Sequence, residues 1–479
     1  MSQNIDNALP SHTEAGCLRS NAVGMWHIVL FVIAAAAPLT VVVGALPVTV
    51  SLGVGPGVPG VFLFSGIIYL LFAVGYAAMS RFTRGTGAFY NFVTSGLGSK
   101  AGGGVAMVAL LAYNAVQISV YAALGYFVEQ TLSQSIGVAV PWWAVAVIAI
   151  FLVQWIGARD IGLSGRILGA LLMAEIAIVL AISLAAIYWR AAHGGLSYGS
   201  FAPAHIFTPG LGISTVFVIA AFIGIEATAI FSEEARDRKK TLPRATWTAV
   251  GLITLFYVFT SWAIIQYYGE ANVVAAALAH PADFWLLACR QLLGNQMTLV
   301  FNVLVVTSMF ACVLAFHNSI TRYLLALARD GIIWRGFAQV HGRYRSPWVA
   351  SRGQTAVALG VTLAAALLRL DPYNVVFTWL SSLASLAMLA IQILACLAII
   401  TWFRAHPQQV TRWASCYAPT LSAVMLAGCF MLAVNNLSVM SNAGNWVSIA
   451  WPAIILATLL GGWLWAARQQ SRSALVIGG

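Results

Sequence analysis

The sequence predicts an all-α integral membrane protein with twelve transmembrane helices, and three observations predict it. Hydrophobic residues fill 61% of the 479 positions and charged residues only 8%, a balance unlike that of soluble domains. Apolar segments of about 20 residues, enough helix to cross a hydrocarbon core of about 30 Å, tile nearly the whole chain. The basic residues are also asymmetric: with the N-terminus in the cytoplasm, 21 of the 24 lysines and arginines fall at the cytoplasmic face, and only Arg190, Arg290 and Arg369 lie outside.

The spans are placed at 26–51, 57–79, 102–129, 141–157, 167–190, 211–231, 245–268, 297–327, 350–369, 374–402, 413–436 and 446–467. Each is too uniformly apolar for an amphipathic surface helix. This divides the chain into a cytoplasmic leader (1–25), a twelve-span domain (26–467) and a cytoplasmic tail (468–479). The leader carries Asp6 and Glu14 and no apolar run, unlike a cleavable signal peptide. The net charge of +11 is therefore mostly a topology signal. It argues against a nucleic-acid partner and offers anionic membrane lipid a basic surface. The six cysteines form no CxxC pair and read as small hydrophobes rather than metal ligands or disulfides.

Spans one and six differ from the others. Span one holds Pro38, Gly44 and Pro47 within one apolar run, and proline removes a backbone donor and clashes with the preceding turn. Span six holds Gly212, Gly224 and the acid Glu226. An ionisable side chain at membrane depth marks a functional site by default, and a broken helix frees backbone groups to bind a solute. Spans one and six occupy corresponding positions if two five-span repeats are inverted relative to each other. The alternative is that proline and glycine only kink closely packed helices. The glycine-rich run Gly53–Gly60 follows no strand and is an external turn, not a nucleotide loop.

Several motifs carry a resemblance. Phe222-Ile-Gly-Ile-Glu-Ala, followed by Ser232-Glu-Glu-Ala and later Pro243-Arg-Ala, resembles the sixth-span signature of the amino acid–polyamine–organocation permeases. Asn318-Ser-Ile-Thr-Arg-Tyr-Leu-Leu-Ala-Leu-Ala-Arg-Asp-Gly331, leading into Phe337 to Pro347, is similar to the end of that family's eighth span and its following loop. Gly87-Ala-Phe-Tyr-Asn-Phe is a weaker match. Arg238, Trp334 and Gly342 depart from the family by standing where it often has proline. The resemblance implies a five-plus-five inverted-repeat core with discontinuous helices one and six, plus two extra helices.

It also implies where a substrate sits. In the family an α-carboxylate meets free amides where the first helix unwinds, and the amine meets carbonyls of the unwound sixth. Here those breaks are expected near Leu39 to Gly44 and Phe222 to Gly224. Pro38, Leu39, Thr40, Gly44, Phe222, Gly224 and Ile225 are the expected substrate-binding residues, with Tyr113 and Gln117 of span three and Phe316 of span eight. Span one carries no acid from Trp26 to Ser51, and Tyr113, Asn114, Gln117, Ser119 and Tyr121 of span three are uncharged, which favours a zwitterion with a neutral side chain over a dication.

For ion coupling, Glu226 is the first candidate, because a carboxyl at membrane depth can load and release a proton. The alternative is a carboxyl hydrogen-bonded to nearby backbone. Glu175 lies near a position where, by resemblance, a subgroup of the family carries a lysine; a helix-packing role is its alternative. His317, in an apolar run, is a titratable candidate facing the first helix or a satisfied hydrogen-bonding residue. Thr307 and Ser308 are candidate sodium ligands unless their hydroxyls bond their own helix.

The expected function is import of an amino acid, or a related amine, by alternating access across an inner or plasma membrane, driven by a proton or sodium gradient. A polyamine importer or an amino acid exchanger of the same fold is the alternative. No GxxxxGK[ST] loop is present, and no cofactor is expected. A channel would need a repeated polar ring, and a membrane enzyme would need clustered catalytic groups or an HExxH or GxSxG motif at membrane depth, none of which the twelve spans show.

Overall fold

The computed structural model describes residues 24–83, 87–158, 161–226, 235–281, 283–342, 346–407, 410–441 and 446–477, with 228, 344 and 444. Most of the leader, the Ser232–Glu234 part of the sixth-span signature, Arg84, Arg159, Arg343 and Arg345 lie outside the described residues. Every regular element among the described residues is a helix. Nine of these helices are long and apolar enough to cross a membrane. Two shorter apolar helices, Trp142–Gly157 and Leu211–Ala220, and the 20-residue helix Trp348–Leu367 occupy the remaining predicted intervals. The numbering of the predicted spans is kept below.

Span one is discontinuous. Helix Met25–Ala36 stops at Ala37, a left-handed residue (φ 45°, ψ 68°), and a second helical stretch starts at Pro38 and runs to Ser51 with a π turn over Val41–Ala45. The break thus precedes the expected Leu39–Gly44 window. The reason is steric: the ring of Pro38 crowds its neighbour Ala37 and disfavours the right-handed helical region there, while the fixed φ of proline suits the first position of the new helix.

Span six ends as helix at Ala220 and continues through turns from Ala221 to Glu226. Gly224 adopts φ 110°, which L side chains rarely adopt. A Cβ on Gly224 would lie 2.8 Å from the Cβ of Ala35, so the two broken spans meet at their breaks.

Helix Ser99–Ile136 of span three packs against spans eight, ten and twelve. Its contact with span twelve is backbone to backbone, because a Cβ on Gly462 would meet the Gly103 carbonyl at 2.5 Å. Small residues permit this approach in lipid, where helices gain nothing by hiding apolar surface from water. The Phe284–Arg329 helix is two helices joined at Gly294 (φ 84°), and the second of them is span eight.

Side-chain amides tie spans three, four, eight and nine together. Gln354 Nε2 donates to Asn114 Oδ1 (2.8 Å) and Gln117 Oε1 (2.7 Å), and Gln117 Nε2 donates to the Val313 carbonyl (2.9 Å). Gln154 Oε1 accepts from Ser351 (2.7 Å) and Thr355 (2.6 Å), and Ser351 Oγ lies 2.8 Å from His317 Nε2. Replacing Gln354 by leucine orphans two amide oxygens, so we expect a stability loss of about 1–2 kcal/mol, read as a lower melting temperature of the detergent-solubilised protein.

Candidate substrate site

A small buried cavity of about 50 Å³ lies where the two broken spans face spans three, eight and ten. Its wall includes Ala36, Ala37, Thr40 and Val41 from span one, and Phe217 and Ala220 from the last turn of the span six helix. Val116 and Val120 come from span three, Cys312 and Phe316 from span eight, Phe377 and Ser381 from span ten, each pair four residues apart on one helical face. Among the described residues only Thr40, Ser119 and Ser381 bring side-chain hydroxyls, and no charged residue among them lines the cavity. The volume holds a few water molecules, so a larger solute enters only if the wall moves.

The electrostatics come from helix ends. The stretch that begins at Pro38 presents the start of a helix, with its unpaired amides and partial positive charge, beside Thr40. The helix Leu211–Ala220 points its carbonyl end, of opposite sign, at the same space, its last carbonyls also accepting the amides of Ala221 to Ile223. At the end of Met25–Ala36 the carbonyls are already engaged: Tyr257 donates to Ala36 O (3.0 Å), and the Cys312 thiol to Ala35 O (3.8 Å).

Of the expected substrate residues, Thr40 and Phe316 line this cavity. Leu39 is buried behind it. Pro38 instead lines a separate apolar recess of about 400 Å³ between spans one, five and seven. The Gly44 carbonyl accepts the Tyr373 hydroxyl (2.7 Å), and Gln117 is spent in the amide network. Phe222 stacks on Tyr69 with ring centroids 4.5 Å apart, and Ile225 is buried. These residues hold the breaks in shape rather than face the cavity.

Glu226 is buried with its Oε2 accepting the Gly224 amide (3.1 Å), while its own carbonyl accepts the Tyr76 hydroxyl (3.0 Å). The Tyr113 hydroxyl lies near the same carboxyl but outside hydrogen-bonding geometry. The carboxyl is thereby attached to the glycine at the break. Glu175 is buried with one carboxyl oxygen unpartnered, and the Ser308 hydroxyl interacts with its carboxyl. Ser308 in turn reaches Thr40 (3.4 Å) at the cavity.

His317 and Thr307 turn elsewhere. Ser351 gives its single hydrogen to Gln154, so His317 Nε2 donates to Ser351 Oγ, toward span nine and not toward the first helix. Thr307 returns its hydroxyl to the Leu304 carbonyl of its own helix (3.1 Å).

Sequence reading missed Val116, Val120, Phe217, Cys312, Phe377 and Ser381. Their helices do not gather polar residues on one face, so no periodicity marked the inward side. The available signal was i, i+4 spacing: Cys312 and Phe316 share a face, so the choice of Phe316 already implied Cys312.

Comparison with known proteins bears on this arrangement. The branched-chain amino acid permease BcaP of Bacillus subtilis is 23% identical over 402 residues, covering 80% of this chain and 81% of its own length. The methylthioribose transporter of Bacillus subtilis is 23% identical over 59% of this chain, and the low-affinity putrescine importer PlaP of Escherichia coli 20% identical over 60%. The chain spans 57% and 63% of the lengths of these two. The family model for amino acid permeases matches residues 27–473, so the chain belongs to the amino acid permease family, within the superfamily that its sixth- and eighth-span motifs resemble.

Proposed function

We propose that this protein is a secondary active carrier that imports an amino acid with a neutral, apolar side chain by alternating access, coupled to proton entry. The observation that carries the reading is the buried cavity between two helix breaks, walled among the described residues by valine, phenylalanine and alanine with three hydroxyls and no charge. A zwitterion fits its two ends: a carboxylate at the helix start beside Thr40 and an ammonium at the carbonyl end of Leu211–Ala220. The apolar wall between them suits an aliphatic side chain. BcaP, a relative over four fifths of the chain, supports this choice of class. The basic asymmetry of the loops supports cytoplasmic termini and a multi-pass place in an inner or plasma membrane.

An amine or polyamine importer is the second reading, favoured by the likeness to PlaP. A dication would leave its distal charge facing Val116, Val120 and Phe377 without a counter-charge. Uptake into proteoliposomes of labelled leucine, valine, alanine and putrescine, under proton or sodium gradients, separates the readings. Saturable, proton-driven accumulation of the aliphatic amino acids is expected. Accumulation of putrescine in their place overturns the substrate class, and equilibration without accumulation overturns the carrier. Val120→Ala is expected to raise the KM for leucine about tenfold and that for alanine much less, since removing methyl groups from a pocket costs about 1–2 kcal/mol only for a ligand that touches them.

A further inference from the structure

A second recess, of about 580 Å³, shares no wall residue with the cavity and lies at the end of span four and the start of span nine. Its rim carries Phe151, Trp155, Tyr344, Trp348, His341 and Arg352. The floor is Gln154 and Thr355, already hydrogen-bonded to each other. Two kinds of chemistry therefore sit side by side, exposed apolar and aromatic surface from Phe151 and Trp155, and cationic or donor groups from Arg352 and His341.

Each polar group is held in place. The Arg352 guanidinium stacks over the Trp348 ring, 4.7 Å from its centroid, and forms no ion pair among the described residues. His341 Nδ1 accepts the Tyr344 amide at 3.4 Å, which puts the ring proton on Nε2 as a donor. The His341 amide is anchored to the Ser346 carbonyl at 2.8 Å, and Ser346 bonds the Ala158 carbonyl at the end of span four. The segment from residue 329 to 352 contains five arginines, Arg329, Arg335, Arg343, Arg345 and Arg352, against the single acid Asp330. Tryptophan and tyrosine at helix ends mark the depth where hydrocarbon meets headgroups.

We propose that this recess binds an anionic phospholipid, the phosphate held by Arg352 and His341 and the acyl chains laid along Phe151 and Trp155. Charge selects the occupant: a neutral or soluble apolar ligand would not use the arginine, and a free anion would not use the lipid-facing aromatics. The positive-inside bias puts the recess at the cytoplasmic leaflet, where anionic headgroups give such basic clusters their attraction.

The test is native mass spectrometry of the full chain in detergent, titrated with phosphatidylglycerol or phosphatidylcholine of the same acyl chains. It needs no substrate, so its outcome is independent of the transport reading. Phosphatidylglycerol is expected to bind in preference to phosphatidylcholine. Arg352→Gln is expected to weaken phosphatidylglycerol binding about fivefold, the loss of one interfacial cation, and to leave phosphatidylcholine unchanged; Arg352→Lys should restore most of it. Trp155→Ala should weaken both lipids. Equal binding of the two lipids by the wild-type chain overturns the proposal, as does undiminished phosphatidylglycerol binding by Arg352→Gln. Displacement of the lipid by millimolar inorganic phosphate would also overturn it, since the recess would then be an anion site only.

Discussion

Glu226→Gln is expected to give a folded protein that no longer accumulates substrate against a proton gradient. Glutamine has nearly the same shape, and its amide oxygen can still accept the Gly224 N–H that Glu226 Oε2 accepts at 3.1 Å. The buried site and the Tyr76 bond to the residue 226 carbonyl are therefore kept. What is lost is the ability to take up and release a proton. A carboxylate accepts the Gly224 amide more strongly than a carboxylic acid does, so protonation of Glu226 loosens its grip on the glycine at the break, and deprotonation restores it. Glutamine fixes the weak-grip state. Gradient-driven uptake into proteoliposomes should fall at least tenfold, while exchange of internal for external substrate, which needs no net proton movement, should persist. Accumulation at the wild-type level across pH would reject Glu226 as the coupling group and leave Glu175, with its unpartnered oxygen near Ser308, as the next to test.

Gly224→Ala should have the largest effect on the architecture. The added methyl would stand 2.8 Å from the Ala35 Cβ, and the residue would have to hold φ 110°. Overpacking costs about 1–3 kcal/mol and a strained backbone region about 1–3 kcal/mol. The two sources act on the same contact, so the spans must separate or span six must rewind. We expect a drop in melting temperature together with loss of nearly all uptake. The control is Gly251→Ala, where a Cβ meets nothing within 4 Å, and which should melt and transport like the wild type. Full activity in Gly224→Ala would show that the contact between the two breaks is dispensable.

The fold and the site were not equally legible in the sequence. Composition and proline and glycine placement were enough for the helices and for which two are broken, because bilayer thickness and backbone sterics act locally. The position of the first break shifted to Ala37, since the decisive atom is the ring of the following Pro38 and alanine itself carries no signal. Gly224 was legible because only glycine suits its backbone angle. The cavity wall was not, because Val116, Val120 and Phe377 sit on helices whose polar residues do not segregate to one face and so do not fix their rotation. His317 shows the reverse case: a titratable residue stood out in the sequence, yet its partner, Ser351, is supplied by a helix that only tertiary packing brings near.

The amide network has a consequence for how the protein is made. Helix Trp348–Leu367 is not among the nine described helices long and apolar enough to cross a membrane by composition, and it carries Ser351, Gln354 and Thr355 near one end. Alone in lipid, those groups would lack the partners that other helices give them and the segment would leave the insertion machinery reluctantly. Asn114, Gln117, Gln154 and His317 supply the partners, and all four lie earlier in the chain. During synthesis the receptors for this helix are therefore already in the bilayer when it emerges, and its integration becomes a docking event that depends on the segments laid down before it.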